Sequence, residues 1–219
     1  MHKRLVVLIL MGAALAALPA AIGALGLDIE AKGGAGIGLG STDNPNITGS
    51  PLLAAGGGVG ADVFFFNAGP ANIGISAGAE YTYLSVHDEI AALALKEDVQ
   101  YNFLYIPLAL VGSIPVGPVN LVVHVGGFAG YFLSGKATNA TLGGSPLPDT
   151  TFDSSNTAQW EFGLHLAAGA DIPVMTGISI SPAVQFDMGL TDVTNSDTPD
   201  YKDTLWSLAV MIGIKYKAM

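Results

Sequence analysis

The sequence predicts an all-β fold, an eight-stranded antiparallel up-and-down transmembrane β-barrel preceded by a cleavable signal peptide. Three observations carry this. A basic start and a short apolar run open the chain, eight later segments alternate with period two and keep their charges on one face, and the links between them alternate long and short. The 219 residues fit one barrel domain without requiring a second.

The opening segment reads as an address. His2, Lys3 and Arg4 precede the apolar run Leu5 to Ala17, then Pro19 and the small-residue stretch Ala20 to Gly26. Cleavage after Gly23 or Gly26 satisfies the small-residue rule, and the second is favoured because polar alternation begins at once. The division is residues 1–26 as signal peptide and 27–219 as barrel. An uncleaved helical anchor is the competing reading, because Leu5 to Leu25 approaches the ~20 residues of a span, but Pro19 and the small residues near its end weigh against it.

Beyond Gly26 no apolar run is long enough for a membrane helix. The hydrophobicity is distributed by alternation, as in Leu27 to Gly40, where Ile29, Ala31, Ile37 and Leu39 oppose Asp28, Glu30, Lys32 and glycines. The segments Leu53 to Phe65, Asn72 to Leu84, Asp98 to Gly112, Val119 to Ser134, Trp160 to Ile172, Ile178 to Leu190 and Trp206 to Tyr216 repeat the pattern. In the fourth, Val99, Tyr101, Phe103, Tyr105, Ala109 and Val111 are assigned to the apolar outer face, which sends Asp98, Gln100, Asn102 and the greasy Leu104, Ile106, Leu108 and Leu110 inward. Long links cover about 41–52, 85–97, 135–158 and 192–203; the short ones near 66–71, 113–118 and 173–177 carry Gly and Pro turn chemistry.

Composition separates a membrane barrel from a soluble, ligand-holding one. Hydrophobic residues make up 50% and charged residues only 12% of the chain, and mean hydropathy is +0.50. The charges collect opposite the apolar face: Asp28, Glu30, Lys32, Asp62, Glu80, His124, Glu161, His165, Asp171, Asp187 and Lys215 are expected to form a polar network in a narrow lumen. Tyr81, Tyr83, Tyr101, Phe103, Tyr131, Trp160, Phe162 and Trp206 gather near the long-link end and Tyr216 near the other, as an aromatic girdle does. A formal charge of −10 offers no basic stripe, so nucleic acid is excluded as a partner. The absence of Cys removes thiolate nucleophiles and thiolate metal sites.

Tyr101-Asn-Phe-Leu-Tyr-Ile-Pro-Leu-Ala-Leu110 resembles a strand of the PorT-like outer-membrane β-barrel family, with Tyr105 where that family usually has Glu. Val125-Gly-Gly-Phe-Ala-Gly-Tyr-Phe-Leu-Ser-Gly-Lys136 is similar to its Gly-rich strand, and Phe162 to Asp171 and Asp187 to Asp192 resemble its later strands. The resemblance implies a small barrel in the bacterial outer membrane, with outer-membrane lipid and the barrel-insertion machinery as partners, and it leaves the activity open.

Chemistry is sparse. His124 and His165 sit on neighbouring strands near Glu161 and Asp171, which fits either a proton-linked or metal-binding pair or a structural network; the second is preferred because an unpaired buried charge is costly. Ser85 and His87 lie two apart on an outward edge beside Asp88 and Glu89, a spacing compatible with an outer-edge lipid hydrolase. The loop acids Asp43, Asp149, Asp153, Asp192, Asp197, Asp200 and Asp203 match no calcium-loop spacing. The expectation is therefore a non-enzymatic barrel with no cofactor and no metal, serving envelope structure or binding an extracellular ligand through four acidic outer loops. The alternatives are binding or passage of a small hydrophobic molecule, motivated by inward Leu104, Ile106, Leu108, Leu110, Val122, Phe128 and Phe132, and the Ser85/His87 hydrolase.

Overall fold

The computed structural model describes residues 26–153, 157–193 and 202–218. The segment read as a signal peptide lies outside them except for Gly26, where the first strand begins. The strands are β1 (Gly26–Thr42), β2 (Ile47–Ala68), β3 (Ala71–Ile90), β4 (Leu95–Val116), β5 (Val119–Leu142), β6 (Ser145–Pro146), β7 (Thr150–Phe152), β8 (Trp160–Met175), β9 (Ile178–Gly189) and β10 (Asp203–Lys217). Eight of them close a ring in which each pairs antiparallel with its neighbour: β4 meets β5, β5 meets β8, and β1 joins β10 from Asp28↔Lys217 to Thr42↔Asp203. Closure satisfies backbone N–H and C=O groups that hydrocarbon cannot. The short β6 and β7 add to the outer end of β5.

The strands run farther than the alternation predicts. Most of the segments read as the links 41–52 and 85–97 is paired, as is the start of 135–158, leaving turns around 43–46, 91–94 and 143–144. On β3 the inward residues are polar or small up to Thr82 and then become Leu84 and Val86, both nearly inaccessible. The outward residues are Ile75, Ala77, Ala79 and Tyr81, and then Ser85, His87 and Glu89. Above the bilayer the barrel thus behaves as a soluble one, apolar inside and polar outside, and the strands continue with their faces exchanged.

That exchange corrects the assignment of β4. Phe103 is 0% and Tyr105 3% exposed, whereas Leu108 and Leu110 are each 62% exposed. Tyr101 and Phe103 therefore leave the predicted girdle and fill the interior, and Leu104, Ile106, Leu108 and Leu110 leave the predicted lumen and face lipid. The even positions from Asp98 to Leu110 are one continuous outer face that is polar in water and apolar in the membrane.

A second irregularity lies on β2, whose register against β3 shifts between Pro51↔Val86 and Ala54↔Leu84. The extra residue flips the alternation, so Ser50 faces outward although even positions further along β2, such as Ala54 and Asp62, face inward.

Where β1 meets β10, inward glycines let the backbones approach. A Cβ on Gly36 would lie 1.9 Å from the Leu208 carbonyl oxygen, while one on Gly112 meets nothing within 4 Å. Gly36→Val is expected to abolish the heat-modifiable gel migration of the membrane-extracted barrel and Gly112→Ala to retain it; equal migration of the two variants would contradict this packing.

Candidate functional site

The interior is stratified along the barrel axis. At the short-turn end a polar cavity of about 320 Å³ is lined by Asp28, Asn67, Asn72, Ser113, Asn120, Asp171, Lys215 and Lys217, among others. Above it sits an ionic layer. Lys215 Nζ lies 3.0 Å from Asp62 Oδ2 and 3.1 Å from Asp171 Oδ2, and Ser181 Oγ donates to Asp171 Oδ1 at 2.7 Å. His124 Nε2 meets Asp62 Oδ1 at 3.3 Å. Lys32 Nζ bridges Glu80 Oε1 at 2.7 Å and Gln185 Oε1 at 2.8 Å, and Gln185 Nε2 donates to both Glu80 Oε2 and Asp187 Oδ2. His165 Nδ1 closes the chain on Asp187 Oδ1 at 2.6 Å.

Each histidine takes its own aspartate, and the two are not joined to one another. Among the described residues no group of three or more His, Asp or Glu is arranged to hold a metal ion. Glu30 lies over Gly213, where a Cβ would come within 2.1 Å of its Oε1. Gln185 ties two carboxylates and a lysine together, yet a neutral amide gave the sequence no signal for that role.

Above the ionic layer stands an aromatic and apolar layer. Tyr105 Oη donates to Glu161 Oε2 at 2.9 Å, and its ring stacks on Phe128 with centroids 4.3 Å apart. Phe103 contacts Tyr105 at 5.5 Å and Phe132 at 5.7 Å, and Phe132 stacks on Phe152. Leu84, Val86, Val99, Val193 and Leu205 complete the cluster. Glycines make room for it: a Cβ on Gly163 would meet Phe128 at 2.5 Å and one on Gly189 would meet Glu161 Oε1 at 2.2 Å.

On the outer wall Tyr81, Trp160, Phe162 and Tyr216 are exposed and Tyr83, Tyr131 and Trp206 partly so. Tyr131 packs edge-on against Trp160 and Phe186 against Trp206, and the Tyr81 hydroxyl bonds Asn102. Farther out, His87 Nδ1 meets Asp98 Oδ1 at 2.7 Å. Ser85 is only 5% exposed, against the irregular stretch of β2.

The model of the outer membrane protein β-barrel domain family matches residues 25–195. The chain belongs to this family. It is accordingly a protein of the bacterial outer membrane. Among solved structures it is similar to OprG from Pseudomonas aeruginosa, at 15% identity over 89% of this chain and 96% of that one with a TM-score of 0.50. It is also similar to a major outer membrane protein of Thermus thermophilus, at 16% identity over 88% and 98% with a TM-score of 0.48. Neisserial surface protein A is similar at 12% identity over 87% and 96% with a TM-score of 0.45. At these identities the likeness concerns the fold alone. No curated protein matches the sequence.

Two predictions arise from the geometry. Lys215→Met leaves Asp62 and Asp171 without their shared cation and is expected to destabilise the barrel by about 3–5 kcal/mol in urea unfolding in liposomes, with Asp62→Asn restoring part of the loss; an unchanged midpoint would contradict the pairing. Asp88 lies outward of Tyr83, beyond the membrane, where burial, with Glu97 and Asp203 nearby, pushes its carboxyl from 3.8 up to about 6. The folded barrel then binds a proton that the unfolded chain has released. Stability should fall as pH rises from 3.8 to about 6. Asp88→Asn should match wild type at the acid end and exceed it at neutral pH in the same unfolding assay.

Proposed function

We propose that the protein is a plugged, non-conducting barrel whose working surface is its outer wall and hairpins rather than its lumen. The observation that carries this is the stacked Phe103, Tyr105, Phe128 and Phe132 layer lying on the Lys32/Lys215 ionic layer. The small cavities beside Lys32, about 30 Å³ each, have room for a water or two. A lumen of eight strands is filled by side chains, and these side chains are held by ion pairs or ring contacts. The similarity of Tyr101 to Leu110 to PorT-like barrels supports a small outer-membrane barrel that spans the bilayer, and it leaves the activity open.

The reading as a carrier of a small hydrophobic molecule loses Leu104, Ile106, Leu108 and Leu110, which face lipid. The residues it keeps, Val122, Phe128 and Phe132, are packed against neighbouring apolar side chains. Among the described residues the acidic outer segments around Asp43, Asp88 to Glu97 and Asp149 to Asp153 remain the natural contact with an extracellular ligand, while Asp197 and Asp200 lie outside the described residues. The Ser85/His87 pair loses its serine to burial.

In a planar bilayer the purified protein is expected to give no stable conductance of open-porin size, and a Phe103→Ala, Phe132→Ala variant is expected to leak. A large steady conductance from the wild type would overturn the plug.

A further inference from the structure

Three adjacent strands bring a serine, a histidine and an aspartate into one row on the outer wall. Ser50 on β2 is the register partner of His87 on β3, and His87 is the register partner of Asp98 on β4. Direct partners share a face, with Cβ atoms about 4.5–5.5 Å apart. We propose that Ser50, His87 and Asp98 form a nucleophile, a general base and an orienting carboxylate, and that they hydrolyse carboxylic esters of amphiphiles in the outer leaflet. This rests on the reading that the outer surface carries the function, and it departs from the expectation of a non-enzymatic barrel.

The geometry is directional. His87 turns Nδ1 to Asp98 at 2.7 Å, on the β4 side. Nε2 is thereby left free of Asp98, on a residue whose register partner on the other side is Ser50. The second oxygen of Asp98 accepts a 2.7 Å bond from Asn139 Nδ2, so both carboxylate oxygens are held. Asn139 does this from a left-handed backbone, φ 54, close to the point where β5 shifts register against β4. Non-glycine residues in that region gather where a side chain must be aimed. Burial raises the Asp98 carboxyl, but the hydrogen bonds from Asn139 and His87 outweigh it and leave the group below the usual carboxylate range. An anionic Asp98 is what an imidazolium formed during proton transfer requires.

Access fits as well. Ser50 is exposed, and the His87 and Asp98 side chains are 31% and 22% exposed. With about 3.3 Å per residue and a ~40° tilt, the row lies roughly 10 Å beyond Tyr83, on the headgroup side of the girdle. Leu53, Tyr83 and Leu104 continue the same outer wall toward the membrane and offer an acyl chain an apolar track. Ser85, two residues along the strand from His87, lacks both the exposure and the opposed position.

In the first half-reaction Ser50 Oγ attacks the ester carbonyl carbon while His87 takes its proton. His87 then returns that proton to the leaving alkoxide oxygen, and the ester C–O bond breaks to leave acyl-Ser50. Water, losing a proton to His87, attacks the acyl carbonyl; Ser50 departs as the hydroxyl, reprotonated by His87, and the fatty acid leaves. Asp98 is a positioning residue throughout.

The test uses the full-length protein extracted from membranes in mild detergent, with heat-modifiable migration confirming the fold of each variant. A fluorophosphonate probe is expected to add its mass at Ser50 in wild type and in Ser85→Ala, and not in Ser50→Ala. Ester turnover should fall about a thousand-fold in Ser50→Ala and His87→Ala. Asp98→Asn should lose kcat at unchanged KM, with partial rescue in Asp98→Glu, a split that a merely structural role would not give. Faster turnover of p-nitrophenyl palmitate in mixed micelles than of monomeric p-nitrophenyl acetate would support an amphiphile, and the reverse order would overturn that substrate class. A folded wild type unlabelled at Ser50, or a Ser50→Ala variant with unchanged turnover, would overturn the site. Neither result bears on the conductance measurement, so the two readings fail separately.

Discussion

The closing ladder between β1 and β10 is the constraint from which the other features descend. Hydrocarbon supplies no partner for a peptide N–H or C=O, and an open sheet of this length would strand two edges in it. Once the ring is shut, each strand within the membrane has one face to lipid and one to the enclosed interior. Charges on the inner face then need partners inside the protein. Asp28, Glu30, Asp62, Glu80, Glu161, Asp171 and Asp187 share that space with Lys32 and Lys215, and Lys217 adds a cation beside Asp28 at the short-turn end. Gln185, Ser181, Tyr105 and the two histidines add hydrogen bonds to Glu80, Asp171, Glu161, Asp62 and Asp187. The neutral donors among them, Gln185, Ser181 and Tyr105, spread the anionic charge without importing more desolvated cations.

Much of this was legible in the sequence because period two is a strong signal and because charges are excluded from a lipid-facing surface. The eight ring strands, the inward placement of Asp62, Glu80, Glu161, Asp187 and Lys215, and the outward Tyr81, Trp160 and Phe162 all emerge from alternation. Alternation does not show where the bilayer ends. Along β4 the even face runs from Asp98, Gln100 and Asn102 to Leu104, Ile106, Leu108 and Leu110; a rule that demands one chemistry per face assigns Asp98 to the lumen and is misled for the whole strand. The water boundary crosses that face near Asn102, where the Tyr81 hydroxyl binds.

The row of Ser50, His87 and Asp98 was illegible for a different reason. Sequence spacing relates residues on one strand, and it drew attention to Ser85 because it stands beside His87 along the chain. The sheet relates residues across strands, and the irregularity after Pro51 reverses the face on which Ser50 falls. Without that register shift Ser50 would turn into the interior with Ala54. The lumen glycines belong to the same class of hidden information. Gly163 and Gly189 read as small residues on a polar face, but their lack of a Cβ is what admits the Phe128 ring and the Glu161 carboxylate.

The stratified interior also bears on where chemistry can sit. A catalytic group must be reached by substrate and must be free to change charge. In the ionic layer, Asp62 is shared by Lys215 and His124, and Asp187 by His165 and Gln185, so a proton moved from one carboxylate disturbs its neighbours as well. Above them lies the aromatic layer of Phe103, Tyr105, Phe128 and Phe132. The outer wall beyond the girdle has neither restriction: His87 and Asp98 are partly wet, and the strands beneath them are anchored by the same ladder that closes the ring. A rigid sheet that emerges from the membrane with its polar face outward can hold side chains from three strands in fixed register beside the lipid surface, which a mobile loop would hold less rigidly.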